Sequence, residues 1–119
     1  MRYFLSLLLI VLVFGCRNYS PENLPKGLVA DSIFPEKQMI LIMTDVHILE
    51  AALQMERNKG KEIKPLQDYY FNQLFSRYKT TSSRFRKNIL YYQGDPDKFK
   101  KMYDEVVANL DSLKKGVKP

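Results

Sequence analysis

The sequence is poor in the residues from which catalytic and metal centres are built. Its 119 residues include one cysteine, one histidine, five glycines and no tryptophan. A lone cysteine excludes an internal disulfide. With a single imidazole it also falls short of the about four ligands that close a structural zinc site. Five scattered glycines leave no glycine-rich loop to cradle a phosphate. The length allows one modest domain. Charge is not scarce: 19 Lys and Arg stand against 13 Asp and Glu, a formal net charge of +6.

What the chain does have begins at its N-terminus. Arg2 precedes the run Phe4 to Phe14, eleven residues that are apolar except Ser6. That length suits the core of an export signal and is short of the roughly 20 residues a membrane-spanning helix needs. The run is apolar all round, whereas a soluble helix alternates faces. Val13-Phe14-Gly15-Cys16 resembles the lipobox of bacterial lipoproteins: an aliphatic residue, a tolerant position, a small residue, then Cys. That resemblance implies cleavage after Gly15 and lipidation of Cys16, which becomes the mature N-terminus. The chemistry agrees, because a free thiol is a liability in an exported chain and acylation removes it. Each buried methylene adds about 0.8 kcal/mol of membrane affinity, and two or more chains anchor stably. Loss of residues 1–15 leaves 104 residues with a net charge of +5, since Arg2 is the only charge removed.

Residues 16–32 then read as a lipidated tether. Asn18, Ser20, Pro21, Asn23, Pro25 and Gly27 punctuate them without periodicity. An extended stretch of that size spans on the order of 50 Å. Residues 33–115 read as a helical domain. The first helix starts near Pro35, with Glu36 matched to the positive end of the helix dipole, and runs to about Asn58 before Lys59-Gly60-Lys61. Met39, Ile42, Met43, Val46, Leu49 and Leu53 share one face, while Ile40, Leu41, Ile48, Ala51, Ala52 and Met55 form a second apolar face. Two apolar faces mean either the central helix of a bundle or a helix with one face in a protein contact.

A second helix spans about Leu66 to Lys79 after Pro65, with an inward face of Leu66, Tyr70, Phe71, Leu74, Phe75 and Tyr78. A third, roughly Ser82 to Gln93, has its N-cap candidates in the Thr80–Ser83 cluster and carries Phe85, Ile89 and Tyr92 on one face. Gly94 ends it, Asp95 caps the next, and Pro96 opens a fourth helix that runs to about Lys114. There Phe99, Met102, Tyr103, Val106, Leu110 and Leu113 form the apolar stripe, with Lys100–Asp104 and Lys101–Glu105 pairs outside. No strand pattern or repeat is present. The fold class is therefore all-α, a small bundle of three to four helices after a signal peptide and a flexible tether. The aromatics crowded between Tyr69 and Tyr92 read as core packing in a domain without disulfides, in preference to a ligand cage.

Candidates for chemistry are few. His47 and Glu50 sit one turn apart on one helix face, a spacing that can supply two metal ligands, but no other histidine completes a set. A structural contact between them is the better reading. Ser82 and Ser83 lack a nucleophile-elbow pattern and are explained as caps. No catalytic group, metal, cofactor or small-molecule substrate is indicated.

The charge is more informative than the titratable pairs. Arg77, Lys79, Arg84, Arg86, Lys87, Lys98, Lys100 and Lys101 are opposed between Arg77 and Lys101 only by Asp95 and Asp97, so this one segment holds +6 and the rest of the chain is neutral. It reads as a basic surface for anionic lipid, cell-wall material or an acidic partner, or as a solvated face that aids solubility. Nucleic acid is not an expected partner of an exported protein.

Ile33-Phe34-Pro35-Glu36-Lys37-Gln38-Met39, then Ile42-Met43, Asp45-Val46-His47-Ile48 and Glu50-Ala51, is similar to the start of the domain of unknown function 4296, a family of small lipoproteins found mainly in the Bacteroidota. Tyr78-Lys79, Thr81, Phe85, Tyr91-Tyr92, Pro96, Tyr103-Asp104, Val106 and Leu110 continue the likeness over roughly residues 31–113. Where the family often has an acidic or amide residue before Phe85, this chain has Arg84. The resemblance implies a helical, envelope-associated lipoprotein and carries over no catalytic residue. The expected function is a membrane-anchored interaction module with an envelope protein as partner, using the second face of the first helix or the basic surface. Arg17 after Cys16, with no acidic run following, resembles the sorting pattern of an outer-membrane lipoprotein facing the periplasm.

Overall fold

The computed structural model describes residues 33–116. Among them are four helices and no strand: α1 Glu36–Asn58, α2 Lys64–Arg77, α3 Ser82–Gln93 and α4 Pro96–Gly116. The expected signal peptide, Cys16 and the tether to residue 32 lie outside the described residues. No described helix is long and apolar enough to cross a membrane.

The helix ends follow local chemistry. Pro35 stands at the N-cap of α1, and its carbonyl accepts from Met39 N at 2.9 Å. Thr81 caps α3 by accepting Arg84 N at 3.2 Å, and Asp95 accepts Lys98 N at 3.1 Å in the first turn of α4. Gly94 stops α3 while staying right-handed at φ −64, so it is not used there for conformational freedom.

α1 and α2 end in the same six-residue motif. After α1, Gly60 N donates to Arg57 O at 2.9 Å and Lys61 N to Glu56 O at 3.3 Å. After α2, Lys79 N donates to Ser76 O at 3.0 Å and Thr80 N to Phe75 O at 2.9 Å. Both are Schellman closures that need a left-handed residue past the helix. Gly60 takes that position at φ 80, but at φ 53 the second closure is made by Lys79, whose Cβ is strained there.

α1 packs on α2 and α4, and α3 packs on the same two helices. The core is drawn from all four: Met39, Ile42, Met43 and Val46, then Leu74 and Phe75, Tyr92, and Met102 and Val106. Burying each such side chain contributes about 1.5–3 kcal/mol. The first apolar face of α1 is therefore the one that faces inward.

One polar contact holds the chain's entry into the bundle. Asn88 of α3 has no exposed surface, accepts Phe34 N at 2.7 Å and donates to Arg84 O at 2.9 Å. The Tyr92 hydroxyl, one turn on, donates to Phe34 O. Both backbone groups of a buried residue are thus satisfied from one helix, as buried polar groups require. The Arg84 guanidinium lies 4.3 Å above the Phe34 ring.

Three expectations need correction. Tyr70 of the expected inward face of α2 is exposed, as are Tyr69 and Tyr91, so the aromatic cluster is only partly core. α2 buries only Leu74 and Phe75 fully, and a tyrosine hydroxyl is satisfied by water at the surface. In α4, Tyr103 and Leu113 are likewise exposed. α2 also begins two residues earlier than expected, at Lys64, because Pro65 fits the first turn.

Two substitutions test this account. Asn88→Ala strands the Phe34 N–H and should cost at least about 2 kcal/mol. Melting should fall by roughly 8–16 °C for a domain of this size. Lys79→Gly relieves the left-handed lysine and should stabilise by about 0.5–1 kcal/mol, read as a higher denaturant midpoint at unchanged m-value.

Candidate interaction site

The second apolar face of α1 is mostly uncovered. Ile40 is buried, but Leu41 remains 54% exposed, Ile48 43% and Met55 62%, with Ala51 and Ala52 exposed between them. At about 100° per residue Leu41, Ile48, Ala52 and Met55 form one stripe along the helix. α2 lies beside it. Ala52, Met55, Leu66 and Tyr70 line one open hollow, and Asp45, Ile48, Ala52, Tyr70 and Arg77 border the next. The two share Ala52 and Tyr70, so they are parts of one groove. Such a surface, apolar in the middle and polar at the edge, is suited to holding a protein surface rather than to transforming a small molecule.

Asp45 sets the polar edge. Its carboxylate accepts the Tyr78 hydroxyl at 2.6 Å, tying the end of α2 to the middle of α1. Burial, and then the Asp45 hydrogen bond, push the Tyr78 phenol up to about 12. At the far end of the stripe, Glu56 accepts Lys59 at 2.8 Å and also Lys61, and these two ammonium groups hold its carboxyl at about 2. This pairing also closes the turn after α1.

His47 and Glu50 come together as expected, with Nδ1 and Oε2 3.4 Å apart. The sequence reading missed a third member: the Tyr103 hydroxyl of α4 lies 3.0 Å from His47 Nε2, with the rings edge to face at 5.5 Å. In the tautomer that carries its proton on Nδ1, Nε2 accepts from the Tyr103 hydroxyl. The arrangement is a carboxylate–imidazole–hydroxyl chain on the surface, and it pins α4 to α1. Only the apolar stripe of α4 signalled Tyr103, and it suggested burial. Among the described residues no three His, Cys, Asp or Glu side chains stand together to hold a metal.

The eight basic residues are distributed over three helices and a turn. Arg77 borders the groove, Lys79 is the turn residue, and Arg84 lies over Phe34. Arg86 and Lys87 are exposed on α3, and Lys101 is exposed on α4. Lys98 pairs with Glu36 at 3.8 Å, and Lys100 pairs with Asp104 at 2.9 Å as the spacing foretold.

Residues 31–116 match the family described as Domain of unknown function (DUF4296). The chain belongs to that family. No curated protein and no solved structure matches it. The DUF4296 match spans all four helices, so the Phe34 contact, the His47 chain and the exposed stripe all fall inside it.

The Asp45–Tyr78 link makes a pH prediction. The phenol is held higher in the fold than the ordinary value of 10.0. Its contribution is therefore complete below pH 10 and is lost as pH rises through about 12. Tyr78→Phe should be less stable than the parent by about 1 kcal/mol at pH 7, and the difference should close between pH 10 and 12 in paired urea melts.

Proposed function

We propose that this DUF4296 chain is a lipid-anchored protein of the bacterial envelope whose helical domain is a protein-interaction module. The anchor in this reading is Cys16, acylated after cleavage at Gly15, and the domain stands off an outer membrane on residues 16–32, facing the periplasm. The observation that carries the interaction role is the uncovered stripe of Leu41, Ile48 and Met55 beside Tyr70. A helix that keeps large aliphatic side chains in water over four turns gives up burial energy that a partner can recover. Lipid-headgroup or cell-wall binding through the basic residues receives less support, since Arg84, Lys98 and Lys100 already have partners within the fold.

The reading is tested in two steps. Cys16→Ser should abolish incorporation of labelled fatty acid and move the protein out of the membrane fraction. A photo-crosslinking residue at Leu41, in the otherwise native lipoprotein, should capture protein in intact cells, whereas the same probe at exposed Ser112 of α4 should not. A soluble Cys16 form that still pellets with membranes would count against the anchor, and equal capture from both positions would count against the surface.

A further inference from the structure

We propose that the partner seated on the α1 stripe is a second copy of this chain, the two α1 helices lying antiparallel about a two-fold axis at Ile48. This names the partner within the interaction-module reading above and rests on it.

Leu41, Ile48 and Met55 recur at intervals of seven, centred on Ile48. When a helix meets its own copy in the antiparallel sense about that centre, Leu41 opposes the second copy's Met55 and Ile48 opposes the second copy's Ile48. A two-fold contact requires this kind of self-complementary patch. Thr44 is covered by Asn109 of α4, and the exposed side chains that flank the stripe are short: Ala51 on one side and Ala52 on the other. They let two helix axes approach to the 8–10 Å of packed helices. From Leu41 to Met55 the stripe carries no charge, and the nearest carboxylate, Asp45, is already engaged by Tyr78. The like charges of this register fall at its ends, where Lys37 faces the second copy's Lys59, and Lys59 is already paired with Glu56 at 2.8 Å.

The area is also of the right order. Leu41, Ile48, Met55 and Tyr70 are each about half exposed, and together they leave on the order of 300–400 Å² of apolar surface in water. A standard interface buries about 800 Å² per partner, roughly half of it apolar. The patch thus matches the apolar part of one modest homodimer face. Two chains confined to one membrane by their anchors meet at high effective concentration, which lets a face of modest area suffice.

The register is tested by cysteine crosslinking of the full-length lipoprotein in membranes under mild oxidant, with the parent, which has only Cys16, as control. Ile48→Cys should give a species of doubled mass. Leu41→Cys alone should give at least about tenfold less, because the two copies of position 41 lie about 21 Å apart along the axis and a disulfide needs Cα atoms within about 7 Å. Leu41→Cys and Met55→Cys, co-expressed, should restore the doubled species. As a second measurement, Ile48→Lys should halve the sedimenting protein mass of the purified lipoprotein in detergent with its helical circular dichroism unchanged, since position 48 is half-exposed. Failure of Ile48→Cys to form the doubled species, equal crosslinking at positions 41 and 48, or an unaltered mass for Ile48→Lys would overturn the self-pairing. An Ile48→Cys adduct with a different protein would overturn it too, while leaving the interaction module standing. If the photo-probe at Leu41 also captures nothing, both readings fall.

Discussion

The rest of the bundle depends on how Phe34 is held. Its ring belongs in the core, but its backbone comes with it, and a buried N–H and C=O must find partners. No strand or helix supplies them, because Phe34 precedes the first helical turn. Asn88 and Tyr92 do so instead, from successive turns of α3. Their sequence distance from Phe34 is large, so this pairing closes the chain from its first described residues to its third helix. α1 then starts from a fixed point, and its inward face is set against α2 and α4.

Once α1 is fixed, the number of helices limits what it can cover. α2 and α4 take its inner face and its two shoulders, Asp45 with Tyr78 on one side and His47 with Tyr103 on the other. α3 packs on those two helices and closes the far side of the bundle. The stripe from Leu41 to Met55 is left over between the shoulders. The same geometry that satisfies Phe34 thus determines which aliphatic residues stay in water. The exposed apolar face and the buried asparagine are two results of one arrangement.

Punctuated segments were legible in the sequence. α3 could be placed at about Ser82 to Gln93 because the Thr80–Ser83 cluster and Gly94-Asp95-Pro96 bracket it, and the two faces of α1 could be separated by periodicity alone. Membership of DUF4296 followed from spaced residues across the helices. What periodicity could not say was which of the two apolar faces is covered, since that depends on how many helices pack and where. Asn88 went unread because a polar residue in a helical pattern looks solvated until its long-range partner is known. Tyr70 and Tyr103 were assigned inward because a pattern treats tyrosine as apolar, while its hydroxyl can be satisfied at the surface. The His47–Tyr103 contact joins two helices 56 residues apart, a distance over which no local spacing rule reaches.

The Phe34 contact has a mechanical side. A pull on the chain N-terminal to the bundle reaches the buried Phe34, with its two hydrogen bonds to α3, before it reaches α1. Among the described residues, Phe34 is thus the first buried one that such a pull must free.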